Sequence, residues 1–242
     1  MKKVSLKNSF DVKDVFGAFL LEGASYSGKY DMPVVKSNID KLPERLESYQ
    51  KAGKKDKIIL PGTALHFYIY DYLFDGEHGV WNALIRGVEF KKGFNLNKLD
   101  GYDCIIVPDL SLYGDMPLAM QIWNVYRSRV IAYALQQLGY KVIINVRWTA
   151  ETSFEFCFDG IERGSVVAIG SYGCSKSLID RRMFDKGLEE LIQRIRPECI
   201  IFYGTVTDSM KAVLEKYNVK YIAFVPETTS VMEVYKHGNE GK

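Results

Sequence analysis

The sequence predicts an α/β fold with a mainly parallel sheet of about six strands flanked by helices, and three observations carry that prediction. Short apolar runs alternate with helix-like stretches from residue 64 onward. The runs are almost continuously apolar rather than alternating, as befits strands covered on both faces. Several end in a burst of small, polar or charged residues: Ile105-Ile-Val107 runs into Pro108-Asp-Leu-Ser111, and Val142-Ile-Ile144 into Asn145-Val-Arg-Trp148. In a parallel sheet such bursts gather at the carboxyl ends of the strands, the edge where α/β proteins keep their sites. An open, Rossmann-like sheet is favoured, because a closed eightfold barrel would need two more β/α units. The alternative is an incomplete or irregular TIM-like barrel that draws strands from the N-terminal region.

The elements follow in order. Residues 1–57 read as an irregular N-terminal extension packing on an α/β domain of residues 58–242. Gly23, Ser25, Ser27 and Gly28 break its periodicity, Pro33 and Pro43 punctuate it, and 50–57 has the composition of a solvated loop. Aromatic and branched residues predict a strand over 65–70. Trp81, Leu84, Ile85 and Val88, three to four apart, predict a helix over 80–88. A strand follows at 104–107. Asp115 as N-cap and Pro117 in the first turn then open a long helix. Its apolar face carries Leu118, Ile122, Val125, Ile131, Leu135 and Leu138, and Gly139 stands where a C-terminal glycine cap belongs. Strands at 141–146 and 165–169 bracket a short helix at 151–158. A helix over 177–195 is stopped by Pro197. A strand at 199–202, a helix at 208–217, a strand at 221–225 and a helix at 228–235 complete the chain.

Composition limits the function classes only loosely. Thirty-two basic against 30 acidic residues leave a net charge of +2, which argues neither for nor against nucleic acid. Four cysteines are widely spaced with no CxxC pair, pointing to a reducing compartment. The N-terminus lacks an apolar core, and no apolar run approaches the roughly 18 residues a membrane span needs. The expectation is a cytoplasmic protein without a membrane partner.

Four segments could carry chemistry. The stretch from Pro108 to Pro117 links a strand end to a helix start and crowds Asp109, Ser111, Tyr113 and Asp115 onto one edge. A carboxylate there serves as a general base or a hard-cation ligand; the structural reading makes Asp115 a cap and Asp109 a turn organiser. Asn145-Val-Arg147-Trp148 offers a planar fork for phosphate beside a stacking surface, or else a salt bridge from Arg147 to Asp109, Glu151 or Asp159 with Trp148 as a packing plug. Gly170-Ser171-Tyr-Gly173-Cys174-Ser-Lys-Ser177 lacks the glycine before lysine that a nucleotide-triphosphate loop requires, but a loop entering a helix N-terminus presents N–H groups to an anion. Cys174 has no convincing base among the three histidines. Asp71 and Asp75 could join Asp109 around a divalent cation, or simply form turns. With 16 tyrosines an aromatic base-stacking surface is conceivable, although most will be core.

From about residue 64 to 204 the chain resembles the DUF4417 family, a bacterial and phage domain of unknown function. The resemblance lies in His66-Phe-Tyr-Ile with Asp71-Tyr72 and Trp81, in Pro108 to Pro117 with Gln121-Ile-Trp-Asn124, and in Asn145-Val-Arg-Trp148. It continues through Ser153 to Ile161, Gly164 to Gly170, Gly173-Cys174, Gly187-Leu-Glu-Glu190 and Tyr203-Gly204. Tyr70 stands where the family often has an acid, and Ser171-Tyr172 where it has a Thr-His-like pair. The resemblance implies a phage or mobile-element setting.

The residues themselves predict a site for a phosphate-containing ligand, a nucleotide or nucleic acid. Asp109 and Asp115 are its candidate catalytic acids. Ser111, Tyr113, Asn145, Arg147, Trp148, Ser171, Gly173, Cys174 and Tyr203 are its candidate ligand contacts, and hydrolysis is the simplest reaction such a site would carry. The rival expectation is a non-catalytic protein that binds a host or replication protein through the long helix or the N-terminal extension.

Overall fold

A computed structural model describes residues 17–54, 58–87, 94–171 and 178–225. An antiparallel ribbon of β1 (Tyr26–Ser27) and β2 (Met32–Pro33) comes first, followed by β3 (Arg45–Ser48) and β4 (Thr63–His66). Then come α1 (Val80–Arg86), β5 (Cys104–Ile106), α2 (Leu118–Gln137) and β6 (Val142–Asn145). The described chain closes with β7 (Val167–Gly170), α3 (Leu178–Ile195), β8 (Ile200–Tyr203), α4 (Asp208–Lys216) and β9 (Tyr221–Phe224).

Strands β3 to β9 form one parallel sheet in which each pairs with the next in sequence. The α/β class and the parallel sheet are as the sequence predicts, and the strand order is that of the barrel alternative. An order that never reverses carries successive crossovers over the same face, so the other face buries itself only by curling. The curl is visible across the interior, where the His66 ring on β4 lies 4.6 Å from the Tyr203 ring on β8. The result is a nearly closed, barrel-like sheet, with β3, from within the first 57 residues, as its seventh strand.

Alternation along the strands sorts the side chains into two cores. Leu65, Ile105, Ile144, Val167, Ile200 and Phe202 point outward and pack with the helices, among them Leu84 of α1, Ile131 of α2, Leu188 of α3 and Leu214 of α4. Ala64, Cys104, Ile106, Ile143, Ala168 and Ile201 point inward and form a second, smaller cluster. The amino end of the barrel is plugged by the segment before β3. There Ser37 Oγ donates to Val166 O at 2.5 Å and accepts from Ile144 N at 3.2 Å, stitching β6 to β7, while Ile39 packs on the inner cluster. The other end stays open as a mouth.

Arg129 of α2, 2% exposed, fixes the strand-end loops from behind. Its guanidinium donates to Cys157 O at 2.8 Å, to Asp159 O at 3.1 Å and to Asn145 O at 3.4 Å. Burial lowers its pKa to about 10, which still leaves it charged at neutral pH. Cys104, Cys157 and Cys199 are buried thiols; burial pushes Cys104 up to about 12 and Cys199 up to about 11.

Several elements differ from expectation. The strand expected at 65–70 runs from Thr63 to His66, because beyond it the Tyr68 N–H bonds to His66 Nδ1 instead of a neighbouring strand. Asp115 does not cap α2: the capping position is Pro117, no side chain accepts there, and Asp115 is exposed. Leu118, placed on the apolar face by spacing, is also exposed. The short helix after β6 is a 3-10 turn, Glu151–Glu155. Gly139 follows α2 at φ 93° as expected, its N–H donating to Gln136 O. The helix expected at 228–235 lies outside the described residues.

Gly187 of α3 sits against Trp148. A Cβ there would lie 2.1 Å from the indole Nε1 and 2.4 Å from Cε2. Gly187→Ala is therefore expected to cost about 1–3 kcal/mol of stability by overpacking, read as a lower urea midpoint with an unchanged slope.

Candidate functional site

The mouth of the barrel is a cavity of about 590 Å³ at the carboxyl ends of the strands, within the range of small-molecule sites. Its wall includes Tyr68, Asp109, Ser111, Arg147, Gly170 and Tyr203. Ser48, the last residue of β3, with Gln50 and Lys51 just after it, completes one side, and Tyr70 and Tyr72, which follow β4, another.

A chain of bonds orders the interior wall. The Tyr68 hydroxyl donates to Asn145 Oδ1 at 2.8 Å, Asn145 Nδ2 donates to Asp109 Oδ1 at 2.7 Å, and Arg147 Nη1 donates to Asp109 Oδ2 at 2.7 Å. Asn145 and Arg147 are two apart at the end of β6, so both face inward. Tyr68 keeps the inward phase of Ala64 and His66 and lies parallel to Tyr203, centroids 4.6 Å apart at 6°. Burial, and then the Asp109 charge, hold the Tyr68 hydroxyl well above its ordinary pKa, so it remains a donor. Gly170 permits this assembly: a Cβ would lie 3.1 Å from the Tyr68 ring.

A second set of bonds holds the rim. Asp71 accepts from both Ser111 N–H (3.0 Å) and Ser111 Oγ (2.9 Å), and Asn124 Nδ2 of α2 donates to Ser111 O at 2.8 Å. Arg127 Nη1 reaches both oxygens of Asp75 at 2.9 Å, while Nη2 donates to Asn124 Oδ1 at 2.7 Å. Burial raises the Asp71 carboxyl above its usual range, with the Ser111 bonds working the other way and the Asp109 charge adding to the rise.

Behind the stacked tyrosines lies His66, 1% exposed. Its Nδ1 accepts from Tyr68 N at 3.1 Å, so the ring proton sits on Nε2, a buried atom with no hydrogen-bond partner among the described residues. Burial lowers the His66 pKa to about 3, with Lys51 pushing the same way. The ring is neutral at physiological pH.

The structure thus brings Asp109, Ser111, Arg147 and Tyr203 onto one cavity, with Asn145 one bond behind. The salt bridge from Arg147 goes to Asp109 at 2.7 Å. Other expected contacts stand elsewhere. Trp148 is buried against Phe184 (5.0 Å) and Phe158 (5.9 Å), the plug alternative. Ser171 is buried and spends its N–H on Tyr203 O and its hydroxyl on Thr205 O, tying β7 to the loop after β8. Tyr113 and Asp115 are exposed and do not line the cavity. Gly173 and Cys174 lie outside the described residues. Asp75 pairs with Arg127, and among the described residues no group of three or more His, Cys, Asp or Glu side chains could hold a metal ion.

The sequence reading missed Tyr68, Tyr70, Tyr72, Ser48, Gln50 and Lys51. Continuing the β4 alternation through Ala64 and His66 would have put Tyr68 on the inner face. Residues 45–48 (Arg-Leu-Glu-Ser) carry no apolar run, so nothing marked β3 or the residues it presents.

Fold and site together define a barrel-like α/β protein with a polar, tyrosine-rich mouth. The chain belongs to the family described as domain of unknown function DUF4417, which matches residues 24–224. It is 36% identical over 178 residues to the Gene 1 protein of Mycobacterium phage L5, a match covering 74% of this chain and 72% of that protein. It is 34% identical over 178 residues to the Gene 1 protein of Mycobacterium phage D29, covering 74% of this chain and 62% of that protein. Both of these relatives are phage proteins. No solved structure matches. No helix among the described residues is long and apolar enough to cross a membrane.

His66 gives the site a stability signature. Its proton is bound in the unfolded chain below the ordinary pKa of 6.5 but in the folded one only near 3. Its contribution is therefore complete above pH 6.5 and declines as pH falls, by up to about 1.4 kcal/mol per pH unit. His66→Phe is expected to flatten that decline: the urea midpoint of wild type should fall relative to that of the variant between pH 6.5 and 4.5, and parallel curves would refute it.

Proposed function

We propose that the protein binds a phosphate-containing ligand, a nucleotide or nucleic acid, in the mouth of the barrel. The observation that carries this reading is the pairing of charge and aromatic surface in one cavity: Lys51 and Arg147 share its wall with Tyr68, Tyr70, Tyr72 and Tyr203. A guanidinium presents a planar fork to phosphate oxygens, and tyrosine rings offer faces to a base. Asp109, each of whose oxygens already accepts a bond from Asn145 or Arg147, aims Arg147 instead of serving as a base. The reading is one of binding, with no hydrolytic step assigned.

A second reading, docking of a host or phage protein, is favoured by one feature. Met120 and Trp123, three residues apart and so on one face of α2, are both exposed, where isolated apolar residues would need no explanation but neighbouring ones do.

A thermal-shift titration separates the two. Nucleoside mono- and triphosphates and short oligonucleotides are expected to raise the wild-type Tm by mass action. Arg147→Ala should remain folded and lose at least about tenfold in affinity, the order of one charged hydrogen bond. Trp123→Ser should keep ligand affinity unchanged. A wild-type protein indifferent to all these ligands, or an Arg147→Ala protein that binds as well as wild type, would overturn the reading.

A further inference from the structure

Two layers of tyrosine stand at the mouth, and they differ in what they leave to be done. The inner layer, Tyr68 on Tyr203, is closed: the rings are parallel at 4.6 Å, and the Tyr68 hydroxyl is engaged by Asn145. The outer layer is open. Tyr70 and Tyr72 are parallel, 5.7 Å apart at 14°, yet 73% and 76% exposed. Two such rings side by side form a contiguous aromatic surface instead of singly scattered residues, and contiguous patches mark interaction sites.

The outer layer is also held in place. Asp71, between the two tyrosines, is fastened to Ser111 by two bonds. Asp75, four residues on, is held through both of its carboxylate oxygens by Arg127 Nη1. The segment that carries the rings is therefore fixed before a ligand arrives, which lowers the cost of binding.

From this we infer that the ligand is single-stranded nucleic acid, with one nucleotide in the cavity and the neighbouring base stacked on the Tyr70–Tyr72 platform. The inference rests on the reading of the cavity as a phosphate-ligand site. A lone mononucleotide, with its phosphate at Arg147 and Lys51 and its base within the cavity, leaves the exposed surface of the Tyr70–Tyr72 platform idle. A strand occupies both, because consecutive bases carry π-faces that stack on aromatic side chains regardless of sequence. Bases of an intact duplex already stack on each other above and below, and reach neither layer without being flipped out. The arrangement fits a strand recognised through stacking and phosphate charge, and it makes no distinction between DNA and RNA.

The test uses the full chain and fluorescence anisotropy with labelled dT12, rU12 and a 12-base-pair duplex, plus competition by thymidine monophosphate. Wild type is expected to bind at least one of the two strands tighter than the duplex and tighter than the mononucleotide. The doubly substituted Tyr70→Ala, Tyr72→Ala protein should lose roughly 5- to 100-fold in strand affinity, the range for removal of base–aromatic stacking. Because both tyrosines also line the cavity, mononucleotide affinity should fall as well, but by a smaller factor than strand affinity. Both positions are exposed, so the fold should survive, with circular dichroism as the check. Tyr72→Trp, which keeps a stacking face, should retain strand binding. Strand affinity unaltered in the double variant, or a strand bound no tighter than the mononucleotide or the duplex, overturns this inference while mononucleotide binding leaves the cavity reading standing. Failure of the mononucleotide and both strands to bind overturns both.

Discussion

A sheet whose strands follow one another in sequence, all in the same direction, cannot be covered on both faces by its own crossovers. Each connection between β3 and β9 passes over the same side, so the large core forms there, among the four helices and the outward strand residues. The other face is left with short inward residues such as Ala64, Cys104 and Ala168. It escapes water only by rolling until opposite strands touch, as His66 and Tyr203 do. Rolling is what makes a mouth. In a doubly wound sheet the polar bursts after β5 and β6 would line a crevice; here they ring a hole.

The mouth is built by two sets of bonds that meet on α2. Arg129 reaches through to the carbonyls of Asn145, Cys157 and Asp159, fixing the loop that carries Arg147. Two residues before it, Arg127 holds Asp75 and Asn124, and through Asn124 the Ser111 loop. One helix thus registers the phosphate-facing side and the aromatic rim against each other. A buried charge such as Arg129 is tolerable because its donors find carbonyl oxygens, and removing them would strand those carbonyls in the core. The unmet Nε2 of His66 lies deeper, behind the paired tyrosines, where its neutral ring donates to nothing among the described residues.

Much of this was legible in the chain. Apolar runs such as 142–144 and 200–202 announce buried parallel strands by their lack of alternation, and the polar residues that end them supplied Asp109, Arg147 and Tyr203. What could not be read had physical causes. β3 is an edge strand with an exposed arginine and a half-buried glutamate, so it lacks the apolar signature of its neighbours and passed for part of an extension. Strand order is set by how crossovers pack, which no local pattern records. Asp115 has the residue type of a cap, but the chain reaches helical geometry only after Pro117, two residues too late for its carboxylate to serve. Trp148 was equally fit for stacking or filling, and Gly187 on a helix 39 residues away decided the matter by leaving it a socket.

The three buried thiols have a consequence of their own. Alkylation and disulfide exchange proceed through the thiolate, and burial holds Cys104, Cys157 and Cys199 protonated far above neutrality. In the intact barrel they are chemically silent. Their labelling rates therefore measure how often each neighbourhood breathes open: Cys104 and Cys199 from inside the rolled sheet, Cys157 from beneath the Arg129 guanidinium. The molecule carries sensors at two depths, and the order in which they react traces how the barrel comes apart.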